Sequence, residues 1–227
     1  MPRFPLHRTL GPLGVQVAAQ KWWLAGGVSA SNAVAAYQPK GAASLSASYS
    51  NLANPGTNDA APGVAPTFAS ETGWTFTSTS QYLLTGLSPV TRSWSMLIRL
   101  KTGSSLGGYV AGVFDQPFYF RYVGGSPPFR FASGGQSDYL IAVSTNTEYV
   151  WGVAGTACYR DGSNVGTVSG SGNATSTVTG GIALGGLNLS PWNFGLGGSF
   201  QMYAVAIYST TLTAAQVAAV SSAMAAL

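Results

Sequence analysis

Short apolar runs separated by turn-forming residues constrain the fold of this chain more than any other feature of its sequence. From residue 74 onward the runs recur at intervals of about 8–12 residues, which is the spacing typical of antiparallel sandwiches and barrels. In residues 93–101, Trp94, Met96 and Ile98 alternate with the side chains of the opposite face. This alternation predicts a half-buried strand with the tryptophan face inward. The sequence therefore predicts an all-β fold of two antiparallel sheets.

Twelve predicted strands are distributed between residues 33 and 208. They are residues 33–38, 74–76, 82–84, 93–101, 109–114, 118–123, 129–132, 139–143, 148–154, 157–160, 181–184 and 200–208. Glycine, proline and Asp-Gly turn chemistry separates them at residues 124–128, 133–135 and 161–162.

One helix is predicted, at the C-terminal end of the sequence. Thr213 and Gln216 match a capping box, and Leu212 and Val217 stand at the positions of a hydrophobic staple. The apolar stripe that follows at helical spacing consists of Val217, Val220, Met224 and Leu227. We expect this stripe to pack on the edge or the back of a sheet.

The chain divides by composition into an arm and one domain. Residues 1–20 mix apolar residues with proline and glycine, which predicts an extended arm rather than a helix. Residues 21–66 predict a leader strand followed by a long ordered loop over residues 51–66, and residues 67–227 predict the core sandwich. The apolar arm residues that we expect to dock on a surface are Phe4, Leu6, Leu10 and Leu13.

The charge content narrows the classes of function. Only 7% of the 227 residues are charged, against about 25% in ordinary globular proteins. The net charge of +4 comes from ten scattered cations, without the basic stripe that nucleic-acid binding needs. No apolar stretch approaches the roughly 18 residues of a membrane span. We therefore expect neither nucleic acid nor a membrane as a partner.

The localisation follows from two observations that conflict. A weakly charged surface is typical of secreted or assembled proteins, yet residues 1–14 lack the apolar core of a signal peptide. A virus particle resolves the conflict, because phage proteins leave the cell by lysis. The sequence thus predicts a location on the surface of a virion.

Three motifs resemble concanavalin A-like domains of the laminin-G type. Residues 198–217 resemble their last strand and closing helix, residues 73–83 and 94–99 their opening strands, and residues 159–162 their internal hairpin. The resemblance covers about residues 68–227 and implies a two-sheet jelly-roll sandwich.

The residues before that domain carry a second resemblance. Residues 22–68 resemble the leader of phage and metagenomic-virus proteins that carry such a domain. This implies a virion component, such as a capsid decoration or tail-associated protein.

Catalytic groups are scarce. The chain has six acids: Asp59, Glu71, Asp115, Asp138, Glu148 and Asp161. The glucan-cleaving enzymes that share this fold place clustered carboxylates on one strand, and no such cluster occurs here. His7 lies in the arm, and Cys158 has the surroundings of a small buried core residue. We expect a protein that is not an enzyme, with a glycoside hydrolase as the less favoured alternative.

Sugar and calcium sites have candidate residues, each with a structural alternative. Trp192 is predicted to lie in a loop where it could stack on a sugar, with Asn188 and Asn193 as hydroxyl partners. A role in the core or in a subunit interface explains the same tryptophan. Asn58 and Asp59 have the oxygen ligands that calcium prefers, and turn formation explains them equally. No other cofactor is expected.

These observations predict a non-enzymatic virion protein. Its sandwich would serve assembly and adhesion to surface glycans, and its partners would be other virion proteins or copies of itself. The alternative is a carbohydrate-binding module of an extracellular or cell-surface protein.

Overall fold

The computed structural model describes residues 21–78, 80–88, 90–113, 119–122, 128–133, 136–169, 175–189, 192–194 and 199–227. Its strands, in chain order, are β1 (Ala33–Tyr37), β2 (Ala61–Val64), β3 (Thr67–Ala69), β4 (Gly73–Phe76), β5 (Tyr82–Leu84), β6 (Val90–Thr91), β7 (Ser95–Thr102), β8 (Gly108–Gly112), β9 (Tyr119–Tyr122), β10 (Pro128–Ser133), β11 (Gln136–Ala142), β12 (Glu148–Ala154), β13 (Ala157–Arg160), β14 (Ser163–Thr167), β15 (Thr175–Ser176), β16 (Ala183–Leu184), β17 (Leu187–Leu189), β18 (Trp192–Phe194) and β19 (Phe200–Tyr208). The helices are α1 (Leu45–Ser48), α2 (Ala214–Ala225) and two 3₁₀ helices, Trp22–Gly27 and Ala30–Asn32.

Two antiparallel sheets form the sandwich, as the sequence predicts. The first sheet has the order β14-β13-β12-β7-β19-β4-β3, with β1 also paired to β19. The second sheet has the order β11-β10-β9-β8-β16-β5-β2. Two short ladders, β6 with β15 and β17 with β18, lie outside them.

Strand β19 pairs with three other strands of the first sheet. Along its whole length it pairs with β7, from Phe200 opposite Thr102 to Tyr208 opposite Ser95. Its other edge pairs first with β4 and then, further along, with β1. The last strand in chain order is therefore an interior strand of the sheet.

The main core lies between the two sheets and is rich in aromatic rings. Its fully buried members include Trp74, Phe120, Phe129, Phe131 and Trp151. Cys158 also belongs to this core and is fully buried, as the sequence predicts.

A second core covers the back of the first sheet. Trp22 and Trp23, from the first 3₁₀ helix, pack there with the apolar stripe of α2. The stripe includes Val217, Val220 and Met224, all of which have no exposed surface. The predicted packing of the helix on the back of a sheet is confirmed.

The second core corrects the predicted half-burial of β7. Met96, Ile98 and Leu100 face the main core as expected, but Leu97 on the opposite face is also fully buried. Arg99, on that same opposite face, is 7% exposed. Both faces of β7 are buried because α2 and the tryptophan pair cover the outside of the first sheet.

The end of the chain folds as its capping signals predict. The Thr213 side chain accepts a hydrogen bond from the Gln216 amide at 3.2 Å, and the Gln216 side chain accepts from the Thr213 amide at 3.0 Å. Leu212 and Val217, the predicted staple, are both buried. Among the described residues, no helix is long and apolar enough to cross a membrane.

Two local predictions differ from the structure. Ala61–Val64, predicted as part of a loop, forms the exposed edge strand β2, which pairs with β5. Trp192, also predicted in a loop, begins strand β18, which pairs with β17. In both places tertiary pairing with a neighbouring strand orders a segment whose composition favours turns. The predicted arm and the 124–127 linker lie outside the described residues.

Candidate functional site

The outer face of the second sheet carries a row of one residue from each of four adjacent strands. Tyr109 lies opposite Arg121, Arg121 opposite Arg130, and Arg130 opposite Leu140. The alternating residues Phe120, Tyr122, Phe129 and Phe131 point into the core, so the row points outward. Its tyrosine and arginines are partly exposed, and Leu140 is 47% exposed.

Arg121 is held in place by the tyrosines beside it. Its Nη1 atom donates to the Tyr109 hydroxyl at 3.2 Å, and its guanidinium carbon lies 5.6 Å from the centre of the Tyr109 ring. The Tyr119 ring meets the Tyr109 ring edge-on, with centroids 5.5 Å apart. The Arg121 Nε atom is buried and has no hydrogen-bond acceptor among the described residues. We call Tyr109, Tyr119, Arg121 and Arg130 the Tyr-Arg surface.

The chemistry of the Tyr-Arg surface suits an oxygen-rich ligand. A guanidinium group presents its N–H donors in a planar fork that matches carboxylate and similar oxyanions. Tyrosine rings offer apolar faces and hydroxyl groups for contact with a sugar ring. The corresponding face of the first sheet is covered by α2, so the two sides of the sandwich differ in what they can bind.

A smaller polar cleft lies at one end of the first sheet. It has a volume of about 220 Å³, and its lining includes Thr75, Lys101, Asn146, Ser199 and Gln201. The chain backbones approach closely there, since a Cβ atom added at Gly103 would lie 2.2 Å from the Ser199 carbonyl oxygen. The cleft offers hydroxyl, amide and ammonium groups, whereas the aromatic residue in its lining, Phe200, is only 2% exposed.

The structure gives Asn188 a different role from the one that the sequence predicts. Its side chain is 1% exposed, and its Nδ2 atom donates to the carbonyl oxygens of Thr179 at 2.8 Å and Gly181 at 2.7 Å. The prediction that this amide contacts a sugar is corrected, because burial keeps it from a ligand. The side chains of Trp192 and Asn193 lie outside the described residues, so their predicted sugar contacts stay predictions.

The Trp22 and Trp23 pair, also considered as a sugar platform, is part of the second core. The two residues are 6% and 8% exposed, and their rings meet edge-on at 5.5 Å.

Asn58 and Asp59, the predicted calcium ligands, occupy a loop that is built by hydrogen bonds. The Asp59 Oδ1 atom accepts from the amides of Asn51 at 2.7 Å and Gly56 at 3.3 Å. Asn58 has a φ of 58°, a left-handed conformation that asparagine tolerates, and its carbonyl accepts from the Tyr37 hydroxyl. Among the described residues, no group of three acidic, histidine or cysteine side chains could hold a metal. The hydrogen bonds of Asp59 and the backbone conformation of Asn58 thus show that both residues form the turn. Calcium binding stays a prediction.

Two carboxylates share a small cleft of about 120 Å³ beside Arg99. Glu148 accepts from Arg99 Nη2 at 2.9 Å, and Asp161 Oδ1 accepts from the Val150 amide at 2.8 Å. Arg99 also donates to the main-chain oxygens of Met224 and Leu227, at 3.1 Å and 2.7 Å, and so fixes the end of α2. Both carboxylates are engaged in holding strands and helix together.

Cys158, the single cysteine of the chain, is in an environment that does not activate it as a nucleophile. Burial raises the pKa of Cys158 to about 12, so the neutral thiol predominates at physiological pH. A cysteine nucleophile acts as its thiolate, and this environment disfavours that form.

Sequence reasoning missed the Tyr-Arg surface. Its signal lies in the strands 119–122 and 129–131, where arginine alternates with aromatic residues as Tyr-Phe-Arg-Tyr and Phe-Arg-Phe. Alternation places the arginines on one face of each strand, but only the register puts Arg121 opposite Arg130.

Solved structures with the same fold have low sequence identity to this chain. The receptor-binding domain of botulinum neurotoxin D matches with a TM-score of 0.59 at 9% identity, over 85% of this chain and 53% of that one. The ligand-binding domain of botulinum neurotoxin serotype D in complex with N-acetylneuraminic acid matches at 0.56 and 10% identity, over 85% and 51%. The fold is a lectin-like β-sandwich. A mutant of Trypanosoma rangeli sialidase displaying trans-sialidase activity matches at 0.57 and 13% identity, over 87% of this chain and 34% of that one.

At these identities the likeness shows the fold alone. This chain spans about half of the toxin domains and about a third of the sialidase chain. No protein-family model and no curated protein sequence matches it. The narrower concanavalin A-like assignment stays a prediction.

Proposed function

We propose that this chain is a non-enzymatic surface protein of a virus particle, with a sandwich that adheres to glycans and an arm that attaches it to the particle. The observation that carries the glycan part is the Tyr-Arg surface, where Tyr109 and Tyr119 stand beside Arg121 on a partly exposed sheet face. Aromatic rings next to fixed hydrogen-bond donors are the usual components of a sugar site.

The fold comparison supports a glycan ligand in a general way. One of the matching toxin structures is a complex with N-acetylneuraminic acid, and another match is a sialidase. The sialidase match spans 34% of that chain, and Asp59, Glu148 and Asp161 of this chain accept hydrogen bonds from its own main chain or from Arg99. These observations favour binding over hydrolysis.

The virion part of the proposal rests on the sequence. The weakly charged composition and the resemblance of residues 22–68 to phage leaders support it. The apolar arm residues Phe4, Leu6, Leu10 and Leu13 are suited to docking on another virion protein or on a second copy of this chain.

A glycan array tests the adhesion part. We expect the wild-type chain to bind a subset of glycans and Tyr109→Ala to weaken that binding at least tenfold. Gln201→Ala, in the polar cleft of the first sheet, is the matched control and should bind like the wild type. Trp192→Ala on the same array tests the second aromatic candidate. Absence of binding by the wild-type chain, or equal binding by Tyr109→Ala, would remove this surface as the site.

Two further measurements separate the alternatives. Deletion of residues 1–20 should abolish incorporation into particles and leave the thermal transition of the sandwich unchanged. Glycan binding without any incorporation by the full chain would favour a carbohydrate-binding module of a cell-surface protein. Release of sugar from bound glycans would contradict the non-enzymatic proposal.

A further inference from the structure

We propose that the Tyr-Arg surface selects anionic sugars and that Arg121 binds their negatively charged group. This inference rests on the proposed glycan adhesion and adds the chemical class of the ligand. It follows from the charge, the hydrogen bonding and the surroundings of this one arginine.

The first step concerns charge. Arg121 and Arg130 are directly opposite each other on β9 and β10. Both side chains are partly exposed on the outer face of the second sheet. Two arginines side by side give this face a local positive charge, which attracts a negatively charged group.

The second step concerns the donors of Arg121. One of its terminal nitrogens is committed to the Tyr109 hydroxyl, whereas its buried Nε has no acceptor among the described residues. The side chain as a whole is partly exposed on the outer face of the sheet. A carboxylate or sulfate oxygen on a bound sugar can therefore approach the guanidinium group from that face.

The third step concerns preorganisation. The Tyr109 ring and hydroxyl hold the guanidinium group, and Tyr119 supports Tyr109 from the side. A donor that is already fixed loses little conformational freedom when a ligand binds. The same tyrosines lie next to the charge, where they can contact the apolar face of the sugar ring.

The test compares a neutral sugar with two of its anionic derivatives. The probes are lactose, 3′-sialyllactose with a carboxylate and 3′-sulfolactose with a sulfate, titrated against the full chain by calorimetry or ligand-observed NMR. We expect the wild-type chain to bind at least one anionic probe at least tenfold more tightly than lactose. Preference for sialyllactose over sulfolactose identifies the sialic acid residue as the ligand group, and equal binding of the two anionic probes identifies a general oxyanion site.

Arg121→Gln should lower the affinity for the anionic probes at least tenfold and leave the affinity for lactose unchanged. Arg121→Lys keeps the charge but lacks the planar fork. Its affinity for the anionic probes should therefore lie between that of Arg121→Gln and that of the wild type. Arg160→Gln, which removes an arginine from β13 of the first sheet, is the matched control and should not change binding. A thermal melt of each variant checks that it is folded.

Several results would overturn the inference. Equal wild-type affinity for lactose and both anionic probes would leave glycan adhesion standing and refute anion selection. An unchanged profile of Arg121→Gln would refute the role of this residue. If that variant fails to fold, the salt dependence of wild-type binding decides, since an ion pair at a partly exposed site weakens as ionic strength rises. A chain that binds no glycan on the array would instead refute the proposed function itself.

Discussion

Phe129 of the second sheet and Trp151 of the first sheet stack across the sandwich, with ring centroids 4.2 Å apart and planes 11° from parallel. Both residues are fully buried. Phe120 and Phe131 surround Phe129, the first stacked and the second edge-on. This contact joins β10 of the second sheet to β12 of the first sheet.

Removal of the Phe129 ring should therefore destabilise the whole domain. We expect Phe129→Ala to lower the free energy of unfolding by about 3–5 kcal/mol, as for other buried phenylalanines. Leu140→Ala, one strand away and 47% exposed in the wild type, should change it by less than about 0.5 kcal/mol. Urea unfolding followed by tryptophan fluorescence measures both. If the two variants lose similar amounts of unfolding free energy, the Phe129–Trp151 stack contributes no more to stability than an exposed side chain does.

The helix cap gives a second prediction. Thr213→Ala removes the side-chain acceptor of the Gln216 amide, so it should lower the free energy of unfolding by about 1 kcal/mol. Ser222→Ala, at an exposed position of the same helix, should be neutral or slightly stabilising because alanine has the higher helix propensity. A stability order reversed between the two variants would contradict the capping box.

Asn51 gives a third prediction, since its amide joins the first strand to the loop after it. Its Oδ1 accepts from the Ala36 and Ala53 amides, and its Nδ2 donates to the Val34 and Thr57 carbonyls. Asn51→Ala leaves these four main-chain groups without that partner, and we expect a loss of about 3–5 kcal/mol in the free energy of unfolding.

The matched control for this change is the exposed Asn54 of the same loop. Asn54→Ala should stay within about 0.5 kcal/mol of the wild type. Chemical unfolding gives both values, and a loss at Asn51 no larger than the loss at Asn54 would show that the loop is held by other contacts.

The fourth prediction concerns alkaline pH. Burial raises the pKa of Cys158 from 9.0 to about 12 and also raises the pKa of Tyr37 and Tyr208. Above pH 9 the unfolded thiol releases its proton while the folded thiol keeps it, so the unfolded state binds fewer protons. The free energy of unfolding must then fall as pH rises. The contribution of Cys158 is fully present below pH 9 and is lost as the pH rises towards about 12.

Urea midpoints between pH 8 and pH 11 test this prediction. Cys158→Ala should show a shallower decline than the wild type, by up to about 1.4 kcal/mol per pH unit. In the native wild-type chain at pH 8, a thiol reagent should modify Cys158 only as fast as the protein unfolds. Parallel pH profiles, or rapid labelling of the native chain, would contradict the burial of this thiol.

Local signals were sufficient to predict most of the strands and the final helix. The alternation around Met96 and Ile98 and the capping pair Thr213 and Gln216 depend on residues close in sequence. The structure confirms the strand with its inward face and the helix cap. The second core was not predicted because it joins Trp22 and Trp23 to a helix almost 200 residues later. Nothing in the pattern of β7 indicates what covers its second face.

The candidate site was harder to predict for the same reason. Arg121 and Arg130 belong to different strands, and their juxtaposition depends on strand register, which single-strand patterns do not contain. The prediction for Asn188 failed in the opposite way. An asparagine side chain is suited to binding a ligand, but this one is buried and donates to main-chain carbonyls of the protein itself. Burial and hydrogen-bond partners decided that case, and both depend on the tertiary fold.

The interior position of β19 in the first sheet has a consequence for how the protein is made. Strand β7 leaves the ribosome about 100 residues before its neighbour β19, a delay of roughly 5–20 s at typical rates of synthesis. Once β12 is made, its apolar residues can pack against those of β7. Strand β19, which pairs with the other edge of β7, is still missing. Folding of the first sheet is therefore confined to the time after residue 208 is made, and a chaperone that shields β7 until then should raise the yield of native protein.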